Sequence, residues 1–285
     1  MESEVFQRAQ EVGEANRKLR ELDRLKTHFF ANISHELRTP LTLILGPVGK
    51  HLAAPALDAG LRRDLEMVQR NARILLKQVS NLLDVAKLEA GRFEMDYVRT
   101  DLAPLVKLLA ANFETVASDR SIRFDIDADV PMVMDIDHEK VQRIVLNLLS
   151  NAFKFTPAGG TVRVSLEKTD DRAILLVDDT GPGIPAQARE AIFERFYQLD
   201  REHTGQKGGT GLGLAIVREF VNLCRGKARA TTNPLGGARF IIELPLQAPA
   251  GVVVRDGEAL VDGGGDPPLL VDAVSQPPPP TNLYP

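Results

Sequence analysis

The stretch FFANISHELRTPLT, residues 29–42, decides how the N-terminal third of the chain folds. At about 100° per residue, its apolar side chains fall within roughly a third of a helix circumference, which predicts an amphipathic helix that packs into a bundle. The stripe consists of Phe29, Phe30, Ile33, Leu37, Leu41 and, just beyond the stretch, Ile44. His35 lies nearly opposite the middle of this stripe. Most histidines on a polar face are solvated surface residues, so a function for His35 has to be argued from the rest of the chain.

The composition limits the class of protein. The chain has 285 residues, room for one large domain or two ordinary ones, and 44% of them are hydrophobic. A formal net charge of -4 gives no reason to expect nucleic acid or an anionic membrane as a partner. The single cysteine, Cys224, excludes an internal disulfide and is typical of a reducing compartment. No apolar run reaches the roughly 18 residues of a membrane span. We therefore expect a cytoplasmic polypeptide without direct membrane contact, or the cytoplasmic portion of a longer membrane-bound sensor.

Apolar patterns on both sides of this stretch extend the helical region. Heptad spacing predicts a coiled-coil helix over residues 1–28, followed by a helical hairpin over residues 29–91. The second hairpin helix shows three-four spacing through Leu65, Val68, Ala72, Leu75, Val79, Leu82 and Ala86. A hairpin with one apolar face on each helix cannot bury both faces alone, so we expect a homodimer joined as a four-helix bundle. The alternative is that these faces pack on the rest of the same chain.

The second half of the chain has a mixed pattern that predicts a two-layer α/β sandwich over residues 103–246, after a hinge over 92–102. Predicted helices are DLAPLVKLLAANFETVA and HEKVQRIVLNLLSNAFKF, and predicted strands are SIRFDID, TVRVSLE, RAILLVDD and ARFIIELPL. No regular βαβ repeat is present, so we expect a sheet with helices on one face. The proline-rich residues 247–285 predict a flexible linker or tail, although the short runs GVVV and LLVDAV leave room for local order.

Polar residues interrupt the helix pattern in NLLSNAFKF, residues 147–155. Asn147, Asn151 and Lys154 are four and three positions apart and therefore share one helical face. Carbonyl oxygens and an ammonium on one face could bind a metal and phosphates. The alternative is the ordinary solvated side of a helix.

A carboxylate ends a predicted strand in DDTGPGIP, residues 178–185. Asp179 could accept a hydrogen bond from an exocyclic amine, and the glycines at 181 and 183 would let the backbone pass close to a flat ligand. The alternative is a plain turn, because turns use Asp, Gly and Pro.

Glycines open a predicted helix in GGTGLGLAI, residues 208–216. Free amides at a helix N-terminus suit a phosphate. The residues before this stretch are polar, whereas a dinucleotide fingerprint needs a strand there, and the lysine of a P-loop is missing. A phosphate site at this position therefore depends on the other stretches.

Taken in order with IFERFYQ, residues 192–198, these stretches resemble the H, N, G1, F and G2 boxes of bacterial-type sensor histidine kinases. The resemblance covers about residues 20–246. It implies a dimerisation and phosphoacceptor hairpin, followed by the ATP-binding domain shared with gyrase, Hsp90 and MutL. It also implies ATP and Mg2+, an upstream sensor domain, and phosphoryl transfer to a response-regulator receiver domain. No receiver is recognisable after residue 246, so the receiver would be a separate protein or a domain beyond the tail, as in hybrid kinases.

The resemblance assigns roles in the hairpin. His35 matches the phosphoacceptor, and Glu36 matches the adjacent acid that would hold a hydrogen on one ring nitrogen. Thr39 matches a position that orients a water molecule in relatives with phosphatase activity. Plainer alternatives are an ion pair of Glu36 with a nearby arginine, and a structural role for Thr39 before Pro40.

The resemblance also assigns the ATP site. Asn151 matches the magnesium ligand and Asn147 its companion near the phosphates, while Asp179 matches the carboxylate that reads adenine. Residues from about 198 to 210 resemble a lid. The implied ATP-binding residues are Asn147, Asn151, Lys154, Asp179, Gly181, Gly183, Gly209, Thr210, Gly211, Leu212 and Gly213.

Two other functions compete with a histidine kinase. A clamp-type ATPase would share the ATP site, but such enzymes generally carry a catalytic acid at the position of Asn147. A silent dimeric scaffold would keep the fold without the chemistry, but degenerate relatives usually lose the phosphoacceptor or one of the boxes, and every box is present here.

Overall fold

The computed structural model describes residues 36–54, 57–89, 93–199, 210–234 and 236–257. The chain divides into two units, Met1–Glu94 and Met95–Pro285, which we call the hairpin unit and the sheet unit. The predicted coiled coil over residues 1–28, His35 and Gly209 lie outside the described residues. No helix among the described residues is long and apolar enough to cross a bilayer.

The hairpin unit contains the two predicted helices. Helix α1 occupies 36–52 of the described residues, and α2 spans Ala59–Glu89. Leu41 of α1 packs with Ala72 and Leu76 of α2, each 6–7% exposed. The guanidinium of Arg62 donates to the carbonyls of Leu52 and Ala54 at 3.1 and 3.2 Å, which satisfies free carbonyl groups at the end of α1. The predicted hairpin is therefore confirmed.

The apolar residues of α2 fall on two faces. Leu76, which lies outside the predicted stripe, is buried against Leu41 and Ala72 inside the hairpin, and Leu83, also outside the stripe, is buried as well. Val68 and Leu75, which belong to the stripe, remain 44% exposed, as does Ile44 of α1. Packing within one hairpin thus buries one side of the stripe and leaves the other side exposed.

The sheet unit contains two sheets. Its helices are α3 (Leu102–Ala111), α4 (Glu114–Asp119), α5 (His138–Phe155) and α6 (Gly213–Leu223). Its strands are β1 (Val98–Asp101), β2 (Arg123–Asp127), β3 (Val133–Ile136), β4 (Thr161–Lys168), β5 (Arg172–Asp179), β6 (Lys227–Thr232), β7 (Ala238–Pro245) and β8 (Arg255–Asp256). The larger sheet has the order β2-β4-β5-β7-β6, and the smaller has the order β3-β1-β8. All pairs in the larger sheet are antiparallel except β2 with β4.

The core of the sheet unit lies between the larger sheet and its helices. Phe153 of α5 stacks on Phe113 with ring centroids 5.1 Å apart and meets Phe124 of β2 edge-on at 5.0 Å. Ile144 of α5 and Val177 of β5 are fully buried. The predicted two-layer α/β sandwich is confirmed, because helical side chains and the inner face of the sheet share one core.

Both predicted boundaries of this unit differ from the structure. Strand β1 lies in the predicted hinge, 92–102, and β8 lies in the predicted tail, 247–285. The two strands stabilise each other by parallel pairing of Val98 with Arg255, so neither stretch is merely a linker at this point. We call residues 248–257 the strap.

Three hydrogen-bonded contacts join the strap to β1 and to the two residues before it. The backbone N–H of Arg255 donates to the Tyr97 carbonyl at 2.9 Å, and the N–H of Gly257 donates to the Arg99 carbonyl at 3.2 Å. The Arg255 guanidinium also pairs with both carboxylate oxygens of Asp96. These contacts close one edge of β1.

Candidate functional site

Helix α5 is held at both ends. Asp137 caps its first turn through a hydrogen bond from the Lys140 N–H at 3.2 Å. At the other end, the Arg120 guanidinium donates to the carbonyls of Phe153 and Thr156, where a cation also complements the helix dipole. The polar face of the helix is therefore placed firmly relative to the sheet.

The structure brings Asn147 of α5 to the start of α6. Asn147 is buried, and its Nδ2 donates to the Arg143 carbonyl at 2.8 Å. Its Oδ1 lies 3.1 Å from the position that a Cβ atom would occupy at Gly213. Two predicted site residues from separate boxes are thus neighbours, and a larger residue at 213 would crowd the amide.

Asn151 and Lys154 lie further along the same helix and are half-buried. Burial lowers the pKa of Lys154, whose Nζ lies 4.9 Å from the centroid of the Phe155 ring. Among the described residues, no carboxylate forms an ion pair with Lys154. A half-buried ammonium of this kind is suited to an anionic ligand.

Asp179 ends β5 as a buried carboxylate. It is 4% exposed, and its Oδ1 accepts hydrogen bonds from the N–H groups of Gly181 at 2.8 Å and Ala238 at 3.4 Å. Desolvation raises the pKa of Asp179 to about 6, and the two backbone donors oppose this rise. The carboxylate is thus a strong hydrogen-bond acceptor that titrates close to neutral pH.

The neighbouring carboxylate has a different environment. Asp178 accepts two hydrogen bonds from Arg239, at 2.6 Å to Nε and 2.8 Å to Nη2, across the β5–β7 pair. Such bidentate pairing neutralises its charge. Of the two adjacent aspartates, only Asp179 keeps a carboxylate without a cationic partner among the described residues.

The glycines after Asp179 make close backbone contacts. A Cβ atom at Gly181 would lie 2.8 Å from both the Asp179 Oδ1 and the Phe155 carbonyl oxygen. Gly183 has φ +75°, a conformation that side chains rarely adopt. The structure therefore places Gly181 beside the buried carboxylate and Gly183 against the backbone of Gly236, and it explains the residue type at both positions.

Two residues beside Asp179 were missed by the sequence analysis. The Nδ2 of Asn233 donates to the carbonyl oxygens of Asp179 at 2.5 Å and Ala238 at 3.2 Å. A Cβ atom at Gly237 would lie 1.8 Å from the Asp179 carbonyl oxygen. Both residues belong to NPLGG, a stretch whose only sequence signal is that of a turn.

The glycine-rich stretch is described from Thr210 onward. Gly211 has φ +71°, and a Cβ atom there would lie 2.7 Å from the Phe196 backbone. Leu212 is buried, and its N–H donates to the Thr210 hydroxyl at 3.4 Å. Helix α6 then begins at Gly213, as the sequence predicts.

The described part of the phosphoacceptor stretch lies on α1. Glu36 and Thr39 are exposed and three positions apart, so they lie on the same side of the helix. Within the described residues, no group of three His, Cys, Asp or Glu side chains could hold a metal ion.

A mixed sheet backed by helices, with a buried carboxylate ending a central strand and a glycine-opened helix beside two asparagines, defines a nucleotide-binding domain of the ATPase class. Comparison with known families agrees. Residues 136–248 match the family described as Histidine kinase-, DNA gyrase B-, and HSP90-like ATPase. Residues 25–91 match the His Kinase A (phospho-acceptor) domain. With both domains in this order, the chain belongs to the histidine kinase family.

Individual relatives support this assignment. The chain is 49% identical over 251 residues to hybrid signal transduction histidine kinase D of Dictyostelium discoideum, covering 86% of this chain and 16% of the relative. It is 46% identical over 241 residues to sensor histidine kinase TmoS of Ectopseudomonas mendocina, covering 84% and 25%. The crystal structure of full-length ShkA in complex with AMPPNP aligns with a TM-score of 0.65 and 31% identity, covering 79% of this chain and 47% of that one. The chain thus spans a quarter or less of the two curated relatives.

Proposed function

We propose that this chain uses ATP to phosphorylate its own His35 and then passes the phosphoryl group to an aspartate of a response-regulator receiver domain. The observation that carries the proposal is Asp179, a buried carboxylate with no cationic partner among the described residues, in a chain that also has a phosphoacceptor hairpin. Burial of such a charge costs free energy, and a bound ligand that donates a hydrogen bond to the carboxylate would offset this cost.

ATP would bind with its base at Asp179. Both backbone donors of this carboxylate reach Oδ1, so Oδ2 would accept the exocyclic amine of adenine. Gly181 and Gly183 would leave room for the flat base. The triphosphate would meet the ammonium of Lys154 and the backbone at the start of α6, in the segment Gly209–Gly213 with Thr210, Gly211 and Leu212.

The donor set suits Mg2+. Asn151 and Asn147 offer amide oxygens on one face of α5, and magnesium prefers few protein oxygens together with phosphate oxygens. When bound, Mg2+ would neutralise charge on the triphosphate. Asn151 would hold it, with Asn147 as the companion near the phosphates.

The chemistry would take place on the hairpin. Glu36 would hold the hydrogen on one ring nitrogen of His35, so that the other nitrogen presents its lone pair. That nitrogen would form a bond to the γ-phosphorus while the bond to the ADP oxygen breaks in line. Positioning and charge neutralisation supply most of the rate enhancement in such transfers. Thr39 would orient water in a phosphatase reaction on the phosphorylated regulator.

Partners follow from the same proposal. The exposed side of the apolar stripe, including Ile44, Val68 and Leu75, supports a homodimer through a four-helix bundle. The receiver domain would be a separate protein or a domain beyond the tail, and an upstream sensor would control the hairpin. ATP is available in the cytoplasm, which is where the reaction is proposed to occur.

Labelling with ATP that carries a radioactive γ-phosphate tests the proposal. We expect an acid-labile, base-stable label on the chain that disappears in His35→Gln. The matched control is His51→Gln, since His51 is exposed on α1 at 16 positions from His35 and should label normally. Hydrolysis of ATP without label would indicate a clamp-type ATPase instead. Neither label nor turnover would indicate a scaffold or a kinase held inactive without its sensor, and the same assay on the chain joined to its natural upstream region would separate the two.

A further inference from the structure

The turn between β6 and β7 contacts the backbone of the candidate adenine-reading residue. The backbone register between β5 and β7 ends at Asp178 and Arg239. One position further, the Ala238 N–H donates to the Asp179 carboxylate oxygen Oδ1 at 3.4 Å. The Asp179 carbonyl oxygen accepts instead from the Asn233 side chain at 2.5 Å. The Asn233 side-chain amide therefore donates to the Asp179 carbonyl oxygen, and the Ala238 N–H donates to the Asp179 carboxylate.

The surroundings of Asn233 keep this arrangement in place. Asn233 is 4% exposed, and its own N–H donates to the Gly237 carbonyl at 3.1 Å. Gly237 has no side chain to keep the turn away from Asp179, since a Cβ atom there would overlap the Asp179 carbonyl. A buried side-chain amide with two carbonyl acceptors is a rigid link between a turn and a strand end.

We propose that Asn233 is a positioning residue for nucleotide recognition, which holds the Asp179 carboxylate at the orientation needed to accept the adenine amine. It acts through Asp179 and touches no nucleotide itself. This inference rests on the proposed function, because it assigns to Asp179 the reading of adenine. Its consequence is that part of the specificity for adenine is set by a residue 54 positions away from the carboxylate.

The first experiment needs no nucleotide. The Asp179 carboxyl is titrated by carbon NMR in wild type, Asn233→Ala and Asn233→Leu. The Ala238 hydrogen bond lowers the pKa of Asp179, so its loss in either variant should move the titration midpoint above the wild-type value of about 6. Asn233→Leu has a side chain of similar size and removes the donor without adding a charge, so a second variant is available if Asn233→Ala fails to fold. An unchanged midpoint in a folded variant would overturn the inference.

The second experiment compares ATP with purine riboside triphosphate, which lacks the amine. In Asn233→Ala we expect about a tenfold loss of affinity for ATP but less than about a twofold loss for the analogue. Asn222→Ala, at an exposed position on α6, should change neither affinity. Equal losses for both nucleotides would overturn the inference and assign Asn233 a purely structural role. A wild-type chain that binds both nucleotides equally would contradict the proposed reading of adenine by Asp179 and, with it, the role of Asn233 in recognition. A shifted carboxyl titration would then show only that Asn233 orients the Asp179 carboxylate.

Discussion

The two units of this chain differ in how completely each buries its own apolar side chains. In the sheet unit, Phe113, Phe153 and Ile144 are fully buried in a single core. In the hairpin unit, Val68 and Leu75 are half-exposed although they belong to a regular apolar stripe. The sheet unit therefore forms its core within one chain, whereas the hairpin needs further apolar surface to cover its stripe.

The strongest effect on stability should come from a substitution in the buried core of the sheet unit. Phe153→Ala should remove about 3–5 kcal/mol from the free energy of unfolding of the sheet unit, because the ring contacts two other rings and leaves a cavity. Calorimetry should show this transition moving to lower temperature while the transition of the hairpin unit stays in place. Equal movement of both transitions would contradict a separate core in the sheet unit, since it would mean that the two units unfold together.

Substitution of Asp179 should change the stability of the sheet unit and its ATP binding in opposite directions. The pKa of Asp179 is raised to about 6, so the folded state bears the cost of an ionised buried carboxylate above that pH. Asp179→Asn should therefore raise the free energy of unfolding at pH 7 by about 2 kcal/mol while abolishing ATP binding. The gain should shrink as the pH falls from about 6 toward the ordinary aspartate value of 3.8, which denaturant titrations at several pH values would show. A variant less stable than wild type at pH 7 would contradict the burial cost.

The hairpin should respond to polar substitution through association. Leu75→Gln should weaken self-association by about tenfold, because it places an amide in the face that a second copy would cover. Leu108→Gln is the matched control, since Leu108 is also exposed but lies on α3 of the sheet unit. Sedimentation at several concentrations measures both variants. An unchanged dissociation constant in Leu75→Gln would mean that the stripe is covered in another way.

The smallest effect concerns the strap. Arg255→Ala removes an exposed ion pair with Asp96 and should cost less than about 1 kcal/mol. Hydrogen exchange should nevertheless become faster at the Arg255 and Gly257 amides, which donate to the Tyr97 and Arg99 carbonyls. Lys107→Ala, which breaks the exposed pair with Asp129, should leave these amides unchanged. Unaltered exchange in Arg255→Ala would show that the backbone pairing holds the strap by itself.

Long elements with a strong pattern could be predicted from the sequence. Helix α5 coincides with its predicted range because its capping aspartate, apolar period and terminal lysine agree. Strands β3 and β1 were missed because four residues are too short to show an alternation. Strand β6 was missed because only two alanines carry the apolar alternation of KARATT. Strand β8 was missed because its pairing depends on an edge more than 150 residues away in the chain.

The residues of the candidate site also divide into those that the sequence predicts and those that it does not. Asn147 and Asp179 were predicted because each lies in a stretch whose residue types match a chemical task. Asn233 and Gly237 were not, because a turn sequence gives no sign of which strand end it will contact. Tertiary contacts of this kind exist only after folding, and a single sequence does not encode them locally.

Strands β1 and β8 are parallel neighbours. The backbone therefore enters the sheet unit at one end of this strand pair and leaves the described part of the unit at the opposite end. Tension along the chain between Met95 and Gly257 would pull the start of β1 and the end of β8 in opposite directions. Their hydrogen bonds and the Asp96–Arg255 pair would then carry load together, in shear, instead of opening one after another. Force along the polypeptide would therefore pass through the strap and β1. It would neither stretch the five-stranded sheet nor disturb the candidate nucleotide site.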